Sequence, residues 1–202
     1  ASAASRAAVE RICLKPPRLA SDGYPMRERV MSLKAAGNAA FRAGEQGDAL
    51  QHYLSALQLL SSNPHVDVVT ISLNCAACVT KANELRLQNG LQEEAVGPDA
   101  KCAVGYCNQA LRLDPTNVKA LFRRGVAYEQ LFNAKQDLEG VQHCSALDSK
   151  MAAFYQPHAL SRHAMQDFEC AVCLTRAKDP TINAALIRLK QIVAAQMVSG
   201  SE

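Results

Sequence analysis

The chain has 202 residues, a formal net charge of +3, 49% hydrophobic residues and 20% charged residues. This balance is typical of a globular domain, because disordered chains carry fewer apolar residues and more charge. The weak, dispersed charge argues against nucleic-acid binding, and no apolar run reaches the length of a membrane span. Trp is absent and aromatic residues make up only 5%, so a chain rich in Ala, Leu, Gln and Glu favours helices over sheets.

Residues 1–25 are predicted to be a leader and linker. A short helix is expected around Ala3–Leu14, followed by a Pro-rich segment. Glu10 and Asp22 argue against a transit peptide, which is usually poor in acidic residues. The missing initial Met suggests that the chain begins inside a longer protein.

Apolar residues then recur at a spacing of three to four residues, which predicts a series of helices. Turn residues such as Gly44, Pro64 and Asp114-Pro115 separate them. The predicted helices are Met26–Gly44, Gln46 or Asp48 to Leu60, Val66 to about Leu87, Ala100–Leu113, Val118–Phe132, Ser161–Arg176 and Thr181–Met197. An alternative register places the sixth helix at Ala134–Leu147.

The eight Cys residues are predicted to be buried, reduced thiols. Cys75 and Cys78, and likewise Cys170 and Cys173, have the CxxC spacing of metal ligands. Both pairs fall inside helical patterns without the turn that a zinc knuckle needs, so small apolar core residues are the favoured interpretation. No metal or cofactor is predicted.

The helices form an internal repeat that resembles the tetratricopeptide repeat (TPR) family. The residues that carry the resemblance recur in all three hairpins: Leu33, Gly37, Ala49, Tyr53 and Ala56; then Asn74, Ala76, Ala103, Ala110 and Asp114-Pro115; then Gly125, Tyr128, Ala164, Phe168 and Ala171. The resemblance implies an all-α, right-handed superhelix of three hairpins and a capping helix. Its expected boundaries are 26–198 for the domain, 27–60, 66–114 and 117–177 for the repeats, and 180–198 for the cap.

Two hairpins are longer than the family's period. Gly37 and Ala49 are 12 residues apart, whereas the equivalent pairs are separated by 27 residues in the second hairpin and 39 in the third. Insertions are therefore predicted at about 83–98 and 135–160. Prolonged helices are the favoured interpretation; an extra docking edge is the alternative.

Five polar residues lie on the first helices of the hairpins, which line the concave surface of a TPR array. They are Lys34, Asn38, Asn74, Lys119 and Arg123, and the two cations of the third hairpin are one helical turn apart. Three bring positive charge and two bring amide donors, a set that suits carboxylates. Arg42 and Arg124 are interpreted as surface charges away from this face.

The pattern resembles the two-carboxylate clamp of co-chaperones, which holds the C-terminal Glu-Glu-Val-Asp of heat-shock proteins 90 and 70. By that resemblance, Lys34, Asn38 and Asn74 surround the terminal carboxylate, and Lys119 reaches the same cluster. Arg123 takes an acidic or carbonyl group further upstream. Phe41 and Leu73 are candidates for an apolar peptide pocket.

The resulting prediction is a cytoplasmic co-chaperone module that binds acidic tails of heat-shock protein 90 or 70, without nucleic-acid or membrane partners. The sequence of Val118–Gly125, together with the terminal helix, resembles the TPR part of immunophilin-like proteins, in which a prolyl-isomerase-type domain precedes the repeats. A scaffold that binds a helix or internal peptide without a free carboxylate is the alternative. An enzyme is disfavoured, because the five His show no shared ligand spacing and no nucleophile motif or phosphate loop occurs.

Overall fold

A computed structural model describes residues 26–60, 66–89, 96–136 and 157–199, and this part of the chain is helical with short turns. The helices are α1 (Met26–Ala43), α2 (Gln46–Leu60), α3 (Val66–Gln88), α4 (Val96–Leu113), α5 (Val118–Gln136), α6 (Pro157–Leu174) and α7 (Pro180–Ser199). The predicted all-α fold is confirmed. No helix in these ranges is both long and apolar enough to cross a membrane.

The helices pair in chain order as three hairpins. α1 packs on α2, α3 on α4 and α5 on α6, while α2–α3 and α4–α5 contacts join successive hairpins and α7 packs on α6. The array places α1, α3 and α5 side by side, with direct contacts between α3 and α5. The polar residues singled out in the sequence all lie on these three helices.

Two glycines allow the hairpins to close tightly. A Cβ atom on Gly37 would lie 2.6 Å from the ring of Tyr53, and one on Gly125 would lie 2.5 Å from the ring of Phe168. Both rings are almost completely buried. Between α1 and α2 the chain turns at Gly44, whose φ of 82° suits glycine because it has no Cβ.

The Asp114–Asn117 turn sets the start of α5. The Asn117 side-chain oxygen accepts the Ala120 backbone N–H at 3.0 Å, as an N-cap does. The Asn117 amide also donates to the Asp114 carboxylate at 2.9 Å, and this bond lowers the pKa of Asp114. The turn therefore fixes the start of α5 and, with it, the position of Lys119 in the first turn of that helix.

The third hairpin closes with α6, as the main prediction has it. Ala134 lies inside α5, and α6 packs along α5, so the alternative register that begins a helix at Ala134 is wrong. Most of the predicted second insertion, residues 137–156, lies outside the described residues, as does the predicted leader. The first insertion is partly helical, because α3 continues to Gln88 and α4 begins at Val96. The predicted domain boundaries stay predictions.

The prediction for the cysteines is only half correct. Cys75 and Cys78 are buried in α3, and burial raises the pKa of both thiols, that of Cys78 to about 12. Cys102 of α4 is exposed, as are Cys170 and Cys173 of α6, so the prediction that these three are buried is wrong. Cys170 and Cys173 lie beside the buried stripe of α6, which Ala164, Phe168 and Ala171 form.

Buried polar contacts join neighbouring hairpins as well. Asn83 of α3 donates to the Gln130 side chain of α5 at 3.2 Å, and Gln130 donates to the Thr80 carbonyl at 3.0 Å. All three residues are buried. Because unpaired buried polar groups are costly, these bonds favour one arrangement of α3 against α5.

Candidate functional site

Three of the five predicted binding residues line one cleft between α1, α3 and α5. Asn38, Asn74 and Arg123 contribute their side chains to a cavity of about 220 Å³, which we call the polar cleft. Its other lining residues are Phe41, Arg42, Tyr53 and Ala77. None of the described lining residues is acidic, so the cleft offers cations and hydrogen-bond donors without a repelling carboxylate in its wall.

Tyr53 orients the amide of Asn38. The Tyr53 hydroxyl donates to Asn38 Oδ1 at 2.7 Å, and Asn74 Nδ2 lies 3.4 Å from the same oxygen. Burial raises the pKa of Tyr53 to about 12, so it stays a protonated donor at neutral pH. With Oδ1 engaged, the Nδ2 group is the part of Asn38 left to donate to a ligand.

Arg123 forms the inner wall of the polar cleft and contacts α3 directly. Its Nη1 donates to the backbone carbonyl of Leu73. Burial lowers the pKa of Arg123, yet a guanidinium keeps its charge in proteins. The group is thus a partly desolvated cation, which binds an anion more strongly than a fully hydrated one.

Leu73 does not line the polar cleft with its side chain. The residue is only 4% exposed and belongs to the hydrophobic core. The suggestion that it lines a peptide pocket is therefore corrected: Leu73 meets the site through its carbonyl, which Arg123 occupies. Phe41, the other candidate, is half-buried and does line the cleft.

Lys119 stands at the rim of the site. It is exposed and is not a lining residue of the polar cleft. Repulsion from the nearby Arg123 charge, helped by partial burial, lowers the pKa of Lys119. The positive charges of Lys119 and Arg123 therefore repel each other, as their four-residue spacing on α5 predicts.

Lys34 is already paired inside the chain. Its ammonium Nζ lies 3.2 Å from the Asp67 carboxylate at the start of α3. Both side chains are about one-fifth exposed. Sequence reasoning did not single out Asp67, although a signal was available: it precedes Asn74 by seven residues, two turns earlier on the same helix face.

The two arginines set aside as surface charges need correction. Arg42 lines the polar cleft, and the signal was again in the spacing, since Arg42 follows Asn38 by four residues just as Asn38 follows Lys34. Arg124 makes a bidentate ion pair with Asp167 at 2.7 and 2.8 Å and also bonds Asn108. Arg124 thus joins α4, α5 and α6 and contributes to the fold.

The described residues offer no obvious metal centre. No group of three or more His, Cys, Asp or Glu side chains within them could hold a metal ion. What the polar cleft does present is a set of N–H donors and positive charges beside the aromatic rings of Phe41 and Tyr53. Such a set suits an anionic peptide group with a small apolar neighbour.

Sequence comparison finds several larger proteins. The chain is 34% identical to human mitochondrial import receptor subunit TOM70 over 114 residues, which are 56% of this chain and 16% of that protein. It is 33% identical to protein unc-45 homolog B of Xenopus tropicalis over 129 residues, 64% of this chain and 12% of the relative. The match to rat import receptor subunit TOM34 is 36% over 110 residues, or 52% of this chain and 30% of the relative. The chain thus matches less than a third of each relative's length, and no protein-family model matches it.

Comparison with solved structures finds TPR domains. The Arabidopsis OM64 TPR domain aligns with a TM-score of 0.55 and 23% identity, covering 83% of this chain and 98% of that one. The second TPR domain of human RPAP3, solved with an HSP70 peptide SGPTIEEVD, aligns with a TM-score of 0.55, 20% identity and coverages of 82% and 98%. The first TPR of Spaghetti (RPAP3), bound to an HSP90 peptide SRMEEVD, gives 0.52, 21% and coverages of 83% and 94%.

These alignments define the class of the molecule. The described residues have the fold of a TPR domain, with hairpins stacked as in the three aligned structures. At this level of identity the likeness concerns the fold alone.

Proposed function

We propose that this domain is a co-chaperone module that binds the free, acidic C-terminal end of a chaperone, of the Glu-Glu-Val-Asp type found on heat-shock proteins 90 and 70. The observation that carries the proposal is the convergence of Asn38, Asn74 and Arg123 on one cleft. The RPAP3 domains that share the fold were solved with peptides ending in EEVD. TPR domains are typically interaction modules without catalysis, and we propose the same here.

The chemistry of the cleft matches a chain end better than an internal segment. A terminal aspartate presents a main-chain carboxylate and a side-chain carboxylate close together, and the two amides with Arg123 can donate several hydrogen bonds to them. Charge-assisted bonds contribute roughly 1.5–3 kcal/mol each. Ordering a free peptide costs several kcal/mol in return. A micromolar affinity, about −8 kcal/mol, is the expected outcome.

Fluorescence anisotropy with a labelled peptide ending in Glu-Glu-Val-Asp tests the proposal. The matched ligand is the same peptide with an amidated C-terminus, which lacks only the terminal carboxylate. We expect the amidated peptide to bind at least tenfold more weakly, because one charge-assisted contact is lost. Equal binding of the two peptides would favour the alternative, a scaffold that recognises a helix or internal peptide.

Variants locate the site on the domain. Asn74→Ala removes a cleft donor and should weaken binding about tenfold. Lys119→Ala removes an exposed rim charge and should weaken it about two- to fivefold, as exposed pairs usually do. Lys178→Ala is the matched control, since Lys178 is an exposed lysine outside the cleft. Arg123→Glu is less suitable, because it would place a carboxylate against the Leu73 carbonyl and perturb the fold as well.

A cytoplasmic site of action is part of the proposal. The cysteines among the described residues are free thiols, which is usual in a reducing compartment. Fluorescence microscopy of the tagged, full-length protein tests this part, and a signal confined to an oxidising compartment would contradict it. An isomerase-type domain in the parent protein, which the resemblance to immunophilin-like proteins implies, stays a prediction.

A further inference from the structure

We infer that Asp67 competes with the acidic ligand for Lys34. In the free domain the Asp67 carboxylate is paired with the Lys34 ammonium, so an incoming chain end must displace that carboxylate to bind Lys34. The inference deepens the proposed function and rests on it. It concerns how strongly the site binds acidic ends, and which of its cations is available before binding.

Two parallel contacts join α1 to α3 at the site. Lys34 faces Asp67 at 3.2 Å, and one turn further along α1, Asn38 faces Asn74 at 3.4 Å. Asp67 and Asn74 are seven residues apart and therefore share a helix face. Asp67 thus lies beside the polar cleft, on the helix that supplies one of its amide donors.

The Lys34–Asp67 ion pair is partly shielded from solvent. The side chains of Lys34 and Asp67 are 21% and 20% exposed, so their attraction is less screened than that of a fully hydrated pair. Asp67 also lies in the first turn of α3, where the helix dipole favours a carboxylate. Both effects hold the negative charge next to Lys34.

The charges around the site are consequently uneven. Arg42, Lys119 and Arg123 have no acidic partner in the described lining of the cleft, whereas Lys34 is neutralised by Asp67. A ligand carboxylate that approaches Lys34 must displace Asp67 or share the ammonium with it. Either course weakens binding relative to the same site without the Asp67 charge.

The test compares Asp67→Asn and Asp67→Ser with the wild-type chain in the anisotropy titration, using the labelled Glu-Glu-Val-Asp peptide. Asparagine keeps the shape of the side chain, and serine is well tolerated at a helix start. We expect each variant to bind about fivefold more tightly, which corresponds to about 1 kcal/mol. The gain should shrink between 50 mM and 500 mM NaCl, because salt screens the removed charge.

Asp48→Asn is the matched control. Asp48 is exposed in the first turn of α2, so its substitution makes the same charge change at a similar helix position away from the cleft. Its affinity should stay within twofold of wild type. A gain as large as that of the Asp67 variants would assign the effect to overall charge and overturn the inference.

The remaining outcomes separate the two proposals. If the wild type binds the peptide and both Asp67 variants bind equally or more weakly, Asp67 positions Lys34 rather than competing, and the inference alone fails. If the wild type and both variants fail to bind, the proposed function fails and the inference with it. Binding by the variants but not by the wild type would support a competitor strong enough to close the site.

Discussion

The close approach of α5 and α6 predicts that Gly125→Ala destabilises the domain. The added Cβ would lie 2.5, 2.8 and 3.0 Å from three ring carbons of Phe168. Carbon atoms normally approach to about 3.5–4.0 Å, so the overlap is close to an ångström. The ring is fully buried and packs against Phe122 with their centroids 5.8 Å apart, which leaves it little room to move.

The magnitude follows from two opposing effects. Overpacking of a well-packed core costs about 1–3 kcal/mol, and replacing Gly by Ala inside a helix returns about 1 kcal/mol. The overlap involves three atoms of a rigid ring, so we expect a net loss of about 1–2 kcal/mol. At about 2–4 °C per kcal/mol for a domain of this size, Tm should fall by about 2–8 °C.

Gly105→Ala is the control with the opposite expected sign. Gly105 lies in the middle of α4, is exposed, and a Cβ there would meet nothing within 4 Å. Helix propensity alone should then raise stability by about 0.5–1 kcal/mol. Thermal melts followed by circular dichroism, supported by urea titrations, measure both variants. If Gly125→Ala and Gly105→Ala raised Tm alike, the close contact between α5 and α6 would be refuted.

Three further predictions concern the thiols, alkaline pH and the docking of α7. In native alkylation followed by mass spectrometry, the exposed thiols should react first and the buried ones only in urea; the exposed set is Cys102, Cys170 and Cys173, and the buried set is Cys75, Cys78 and Cys107. Equal rates for Cys102 and Cys107 would contradict the assigned burial. Burial raises the pKa of Cys78 and Cys107 to about 12, so their contribution to stability is complete below the unfolded-state pKa near 8.5 and is lost as pH rises towards 12. Between pH 8 and 10 the unfolding free energy should therefore fall by about 2 kcal/mol for each such thiol, and Cys107→Ala should reduce the fall by that amount in urea titrations; an unchanged pH dependence would count against it. Arg188 bonds the buried Glu129 at 2.9 and 2.7 Å but is itself half-exposed, so Arg188→Ala should cost about 1–2 kcal/mol by leaving that carboxylate unpaired. Lys190→Ala, which breaks an exposed pair with Glu169, should cost less than about 0.5 kcal/mol, and equal losses would contradict the role of burial.

The hairpins could be predicted because glycine or another small residue occurs in the sequence wherever two helices make their closest contact. Gly37 and Gly125 stand where rings from the next helix approach, and small residues at a fixed period can be read without coordinates. The helix order follows from the same pattern. Helix ends were predicted less well: α5 runs to Gln136 rather than Phe132, because no breaking residue marks its end.

The site could be predicted only as far as one helix determines it. Spacing places Lys119 and Arg123 on one face, and the same rule applied to Asn38 could have included Arg42. Which residue lies opposite on a neighbouring helix depends on how the helices are rotated against each other. Spacing places Asp67 on the same helix face as Asn74, but it does not give the pairing of Asp67 with Lys34 on another helix.

The exposure of the two α6 cysteines follows from helix geometry. Ala171 lies on the buried stripe, as predicted. Residues one position before it and two positions after it must then project elsewhere on a helix. Cys170 and Cys173 occupy those positions. Helix geometry therefore predicts that both are exposed, although free cysteine is usually a buried residue type.

Tyr53 has a consequence for how this domain can change during evolution. Its ring covers Gly37 and its hydroxyl holds the Asn38 amide, so one residue serves both the stability of the first hairpin and the geometry of the cleft. A mutational scan will therefore find few tolerated replacements there, and even phenylalanine, which keeps the ring, releases the amide. Affinity can be tuned more freely through Arg42, Lys119 and Asp67, whose side chains carry charge without filling the core.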